Sequence, residues 1–262
     1  MSSTRASQSV RSADGTRIAF DRVGDGPPLI LVEAALHYRD FSSFGGPVPL
    51  LSGEFSVYAY DRRGRGESTD TPPYSPDREV EDLAALVAEA GGSAHLYGYS
   101  SGALLAMRAA AHGLPVAGLA ALEPPLRDEA AESPDPLTTE LAKLVGTGRN
   151  ADAVEHFHRS IGVPAEYIGS MRSSPEWAKM ESIAHTLVYD CTISDTTTSI
   201  LLRSVEVPTL VLDSEGSSDN LTGWAATVAG WLPRGSHRSL AGEWHSVPDE
   251  VLAPVLLECF RG

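Results

Sequence analysis

Five residues, Gly98-Tyr99-Ser100-Ser101-Gly102, form the stretch of this sequence whose residue types and spacing point most directly to chemistry. A serine at a sharp turn between a strand and a helix presents its hydroxyl for attack on a carbonyl, and small residues two positions either side let strand and helix approach closely. This spacing selects Ser100, because Ser101 would have Tyr99 and Ala103 in those two places. Ser101 is then expected to offer its backbone N–H at the helix N-terminus, where a donor can stabilise a developing oxyanion. A plain helix N-cap is its structural alternative. A serine hydroxyl is a poor nucleophile at neutral pH, so a base must lie within hydrogen-bond reach and an acid must orient that base.

The flanking sequence predicts the elements that would hold Ser100 in place. AHLYGY (94–99) is a continuous apolar run of the kind found in a strand buried on both faces, and SGALLAMRAAAHG (101–113) is a run of strong helix formers closed by glycine. PPLILVEAA (27–35), FSVYAYDRRG (55–64), VAGLAALEPP (116–125) and VPTLVLDSE (207–215) read as further buried strands, and SHRSLAG (236–242) as a last one. Helical patterns follow at 75–92, 220–233 and 248–260, and QSVRSADGTRIAFDRVG opens the chain as an antiparallel hairpin around Asp14-Gly15. Residues 126–204 carry amphipathic helical patterns with almost no strand signal. Strand–helix alternation predicts an α/β fold, a mostly parallel eight-stranded sheet covered by helices on both faces, with core 1–125 and 205–262 and a helical cap 126–204. Ligands in such sheets bind beyond the carboxyl ends of the strands, so the insertion is expected to be a lid, with extra packing against a sheet edge as its structural alternative. Trp177, Tyr167 and Met171 are its expected pocket-lining side chains.

The elbow, the element order and the helical insertion together resemble the α/β-hydrolase fold family over nearly the whole chain, and DRRGRGES (61–68) is similar to a D-x-R-G-x-G-x-S stretch in many of its members. That stretch is expected to be structural, with Gly64 and Gly66 in a tight turn and the arginines pairing nearby acids. The resemblance implies that His245, on the loop between the last strand and the closing helix, is the base. Other histidines fall elsewhere: His156, His158 and His185 in the insertion, and His237 at the start of the last strand.

For the acid the resemblance leaves two candidates. Asp219 lies in TLVLDSEGSSDN after the seventh strand, where Ser217 occupies the usual position; Glu123 ends the sixth strand, where some members carry a glutamate. Their structural alternatives are a helix N-cap for Asp219 and a hinge carboxylate for Glu123. Family members commonly read His-Gly after the third strand, whereas this chain reads Glu33-Ala34, an altered oxyanion-loop motif. The implied hole uses the N–H groups of Ala35 and Ser101, and Glu33 is expected to fix the loop by hydrogen bonding, its alternative being to repel an anionic substrate or raise the pKa of a nearby group.

Composition narrows the class. A formal charge of −15 repels polyanions, so nucleic acid is an unexpected partner, and no leader or membrane-spanning run is apparent in the sequence. A cytoplasmic chain, monomeric or a homodimer, is expected. Cys191 and Cys259 read as isolated thiols. No metal-ligand cluster or phosphate loop is seen, so neither metal nor cofactor is expected. The resulting expectation is a serine hydrolase cleaving a small ester or related acyl compound through an acyl-enzyme. The alternatives are a non-catalytic small-molecule-binding protein on the same fold and a cofactor-free peroxidase-like or lyase member.

Overall fold

The computed structural model describes residues 8–44, 46–127 and 134–261; the first seven residues, and 128–133 of the expected helical insertion, lie outside the described residues. Eight strands form one sheet: β1 (Gln8–Arg11), β2 (Arg17–Val23), β3 (Pro28–Val32), β4 (Ser56–Tyr60), β5 (Ala94–Tyr99), β6 (Val116–Leu122), β7 (Thr209–Ser214) and β8 (Gly235–Leu240), in the order β1-β2-β4-β3-β5-β6-β7-β8. The first two are antiparallel and every other pairing is parallel, so the sheet is mostly parallel as the alternating pattern requires.

Alternate residues along each strand feed two separate cores. Ile30, Val32, Leu96 and Val211 pack on one face against α2 (Pro76–Glu89), α3 (Ser101–Ala111) and α10 (Asp219–Trp231). Leu29, Leu31, Tyr97 and Leu212 pack on the other against α1 (Pro47–Leu51) and α11 (Asp249–Arg261). Between β6 and β7 run α4 (Pro136–Gly146), α5 (Asn150–Ser160), α6 (Ala165–Arg172), α7 (Pro175–Ser182), α8 (Thr186–Thr196) and α9 (Ser199–Leu202). These helices have their own apolar centre, including Leu141, Val154, Trp177, Met180 and Leu187, and Leu36 from the loop after β3 joins it. The loop after β3 is thereby packed against the inserted helices.

The β5-to-α3 turn explains its two glycines. A methyl group on Gly98 would lie 2.5 Å from the Gly102 carbonyl oxygen, and one on Gly102 would lie 2.2 Å from the Val32 oxygen. Helix α3 therefore starts in direct contact with both its own strand and the end of β3.

Candidate active site

Ser100 is the residue before α3, with φ 53° and ψ −122°. Positive φ is rare for a residue with a side chain, and only four non-glycine described residues adopt it: Leu36, Ser100, Glu123 and His245. Sheet hydrogen bonding continues past the strand ends to hold two of them. Ser100 N–H donates to the Leu122 carbonyl at 2.8 Å, and Glu123 N–H donates to the Leu212 carbonyl at 2.8 Å. Three adjacent parallel strands thus fix Ser100 and Glu123 relative to one another.

His245 Nδ1 is hydrogen-bonded to Glu123 Oε2. The other carboxylate oxygen accepts from Ser214 N–H at 2.8 Å and from Ser217 Oγ at 2.6 Å, while Ser217 Oγ accepts from the His245 backbone N–H at 2.8 Å. Tyr99 donates its hydroxyl to the His245 carbonyl, and the two rings lie 4.8 Å apart. Glu123 is fully buried, and burial pushes its carboxyl pKa up; the bonds from His245, Ser217 and Ser214 outweigh that and leave it below the ordinary value. It is an ionised carboxylate aimed at Nδ1, an arrangement that fixes the imidazole tautomer with Nε2 as the proton acceptor.

Of the two acids left open by the sequence, only Glu123 meets His245. Asp219 is exposed at the first residue of α10, with Ser218 at the N-cap position, so it is neither the partner of His245 nor the cap. The reason lies in the loop after β7. Ser217 turns inward to brace Glu123 and His245, which leaves Asp219 exposed at the first residue of α10.

Glu33 is buried at 3% exposure, and its carboxylate accepts from the hydroxyls of Ser42 and Ser43 and from Ser43 N–H. It ties down the loop after β3. The carbonyls of that loop are also taken: Glu33 O by Arg62 Nη1 at 3.1 Å, Ala34 O by Arg65 Nη1 at 2.6 Å, and Ala35 O by His37 Nδ1 at 2.8 Å. Arg62, Arg63 and Arg65 of the DRRGRGES stretch are each only 1% exposed. Arg62 forks onto Glu79 (2.7 and 2.8 Å) and Arg63 onto Asp82 (2.8 and 2.7 Å), pairings of the kind the sequence suggested. The partner that sequence reasoning missed is Asp190 of α8, which binds Arg62, Arg65 and the Ser101 hydroxyl. Burial raises the Asp190 carboxyl, but Arg65, Arg62 and Ser101 bring it below its ordinary value.

Ser100, Ser101, Ala35 and His245 line one cavity of about 550 Å³, within the range of roughly 300–1,000 Å³ usual for small-molecule sites. Leu137, Phe157 and Cys191 from the inserted helices line the same space, as do Trp224 and Trp244. The expected lining by Trp177, Tyr167 and Met171 is incorrect. Trp177 is buried within the helical segment's own core, Met171 packs on that core, and Tyr167 is 63% exposed. Amphipathic patterns show that these residues sit on helices but not which side of the segment meets the sheet. The cavity also holds Arg127, with Asp195 at 2.7 Å and Asp135 at 3.1 Å. Among the described residues, two carboxylates thus pair with one guanidinium at this corner.

Fold and geometry agree with the sequence relationships. Residues 12–254 match the profile of the Alpha/beta hydrolase family, and the chain belongs to that family. A solved alpha/beta hydrolase from Sphaerobacter thermophilus is 42% identical with a TM-score of 0.87, covering 97% of this chain and 100% of that one. A thermophilic esterase from Thermogutta terrifontis has the same fold (TM-score 0.70, 22% identity, 97% and 98% covered). An N-formylmaleamate deformylase from Pseudomonas putida is 38% identical over 120 residues, a stretch that spans 44% of this chain and 44% of that protein.

Proposed function

We propose that this protein is a serine hydrolase that cleaves a small, neutral ester or related acyl compound through a Ser100-His245-Glu123 triad. The observation that carries the reading is the convergence of the strained Ser100 turn and the Glu123-bound His245 on one cavity. Ser100 Oγ attacks the acyl carbon while His245 Nε2 takes its proton. The tetrahedral intermediate collapses as the leaving alkoxide receives that proton, and water repeats the sequence on the acyl-enzyme to release the acid and restore Ser100. Ala35 and Ser101 N–H groups hold the oxyanion. The two carboxylates paired with Arg127, those of Asp135 and Asp195, disfavour anionic acyl groups, and the apolar wall suits a compact hydrocarbon portion.

A second reading, hydrolysis of a formyl amide, is favoured by the 38% identical stretch shared with the deformylase. The same residues serve both, so a panel of short acyl esters and formyl amides separates them. Turnover of at least one panel member by the wild-type chain, with covalent labelling of Ser100 by a fluorophosphonate, supports the hydrolase reading. A folded chain that neither turns over nor labels overturns it.

A further inference from the structure

We propose that Asp190 is a positioning residue for the oxyanion hole, through which helix α8 of the inserted segment sets the direction of the Ala35 N–H and steadies Ser101. The inference rests on the hydrolase reading and extends it to a residue outside the triad. Three contacts converge on this carboxylate. Oδ1 accepts from Arg62 Nη1 at 2.7 Å and from Ser101 Oγ at 2.8 Å, and Oδ2 accepts from Arg65 Nη2 at 2.7 Å. All four residues are nearly inaccessible, with Asp190 at 2% and Ser101 at 3%.

Arg65 links this carboxylate to the chemistry. While Nη2 is held by Asp190, Nη1 donates to the Ala34 carbonyl at 2.6 Å and to the His37 carbonyl at 3.2 Å. Ala34 C=O and Ala35 N–H belong to one planar trans peptide, so they point in opposite directions. Fixing the oxygen on the guanidinium therefore aims the N–H away from Arg65. Arg62 does the same for the preceding peptide by donating to Glu33 O. The second donor is steadied directly, because Asp190 grips the side chain of Ser101, whose own N–H opens helix α3. Both donors proposed for the oxyanion thus depend on one carboxylate supplied by the inserted helices.

A buried ion pair gains little stability over an apolar replacement, so geometry is the more productive use of this network. A lysine at either arginine position would keep the charge but lose the planar fork that holds a carboxylate and a carbonyl at once. The loop after β3 reads Glu33-Ala34, and it is fixed by the Glu33 carboxylate on Ser42 and Ser43 and by the arginine pair on its carbonyls.

The test uses the full-length chain and three variants, Asp190→Asn, Arg65→Lys and Ser101→Ala, each checked for folding by circular dichroism. Turnover of a short acyl ester is measured with the affinity for its trifluoromethyl ketone analogue, which adds to the serine to form an oxyanion, and for the product acid, which does not. For Asp190→Asn and Arg65→Lys, kcat and ketone affinity are expected to fall together by about 10- to 100-fold, the range for displaced rather than deleted groups, with KM and product affinity unchanged. Ser101→Ala, which keeps both ion pairs, is expected to give the same pattern with a smaller loss. Should Asp190→Asn fail to fold, the other two carry the test. Folded variants with wild-type kcat and ketone affinity would overturn the proposal, as would losses confined to KM. A wild-type chain that neither turns over esters nor binds the ketone removes the hydrolase reading itself and takes the proposal with it.

Discussion

Ser100, Glu123 and His245 share a backbone property that no residue-by-residue reading of the sequence displays: all three have positive φ. Each such conformation costs about 1–3 kcal/mol and persists only where its surroundings impose it. Here the sheet bonds at Leu122 and Leu212 impose it on two, and the Ser217 and Tyr99 contacts hold the third. In the sequence, Ser100 is proposed from its glycines and His245 from family resemblance, while Glu123 and Asp219 are left open. Sequence spacing shows how far a loop can reach, not which side chain turns inward, and Ser217 takes the inward position. Glu123→Gln is expected to lower kcat by roughly 10³- to 10⁴-fold, because the amide no longer stabilises the imidazolium or selects its tautomer. Asp219→Asn is expected to leave kcat unchanged. Steady-state kinetics on both variants checks the assignment, and the reverse pattern would refute it.

At the scale of elements, the contact between α3 and the end of β3 is the tightest constraint on the site. The space beside Gly102 is closed by the Val32 and Glu33 carbonyls, the latter also held by Arg62. Gly102→Ala is expected to destabilise the fold by about 1–3 kcal/mol, as overpacking does, and to displace the loop that carries Ala35. Thermal melting and kcat, measured together, should both fall; an unchanged melting temperature would show that the contact gives way freely. The strands and the helices that follow them were legible in the sequence, since continuous apolar runs and glycine stops mark them locally, whereas the short α1 was not read. Asp190 was not, because its contact with Arg62 spans 128 residues of sequence and follows from how α8 docks. The pocket lining failed for the same reason: helical periodicity identifies an apolar stripe without naming what it faces.

For the whole molecule, the acidic composition and the buried ion pairs set the response to pH. Glu123 and Asp190 are held below the ordinary carboxylate range, so the unfolded chain binds more protons than the folded one as pH falls through about 4. Their stabilisation is complete above that range and is lost on acidification through the folded pKa. Asp82 works in the opposite sense. Burial lifts its carboxyl to about 6 despite Arg63, so the folded chain takes up that proton first between about pH 6 and 4. Stability is therefore expected to fall steeply only below about pH 4, which calorimetry across pH 8 to 3 would show; a midpoint still constant at pH 3 would contradict it. Among the described residues no helix is long and apolar enough to cross a membrane, so such a titration faces no bilayer-spanning helix there. The central claim, that Ser100 is an activated nucleophile in this folded chain, is tested most directly by the mass of the intact protein after exposure to a fluorophosphonate. One adduct per chain, mapped to the peptide containing Ser100 and absent from Ser100→Ala, is the expected result; a folded wild-type chain that gains no mass, or gains it equally without Ser100, would contradict the account.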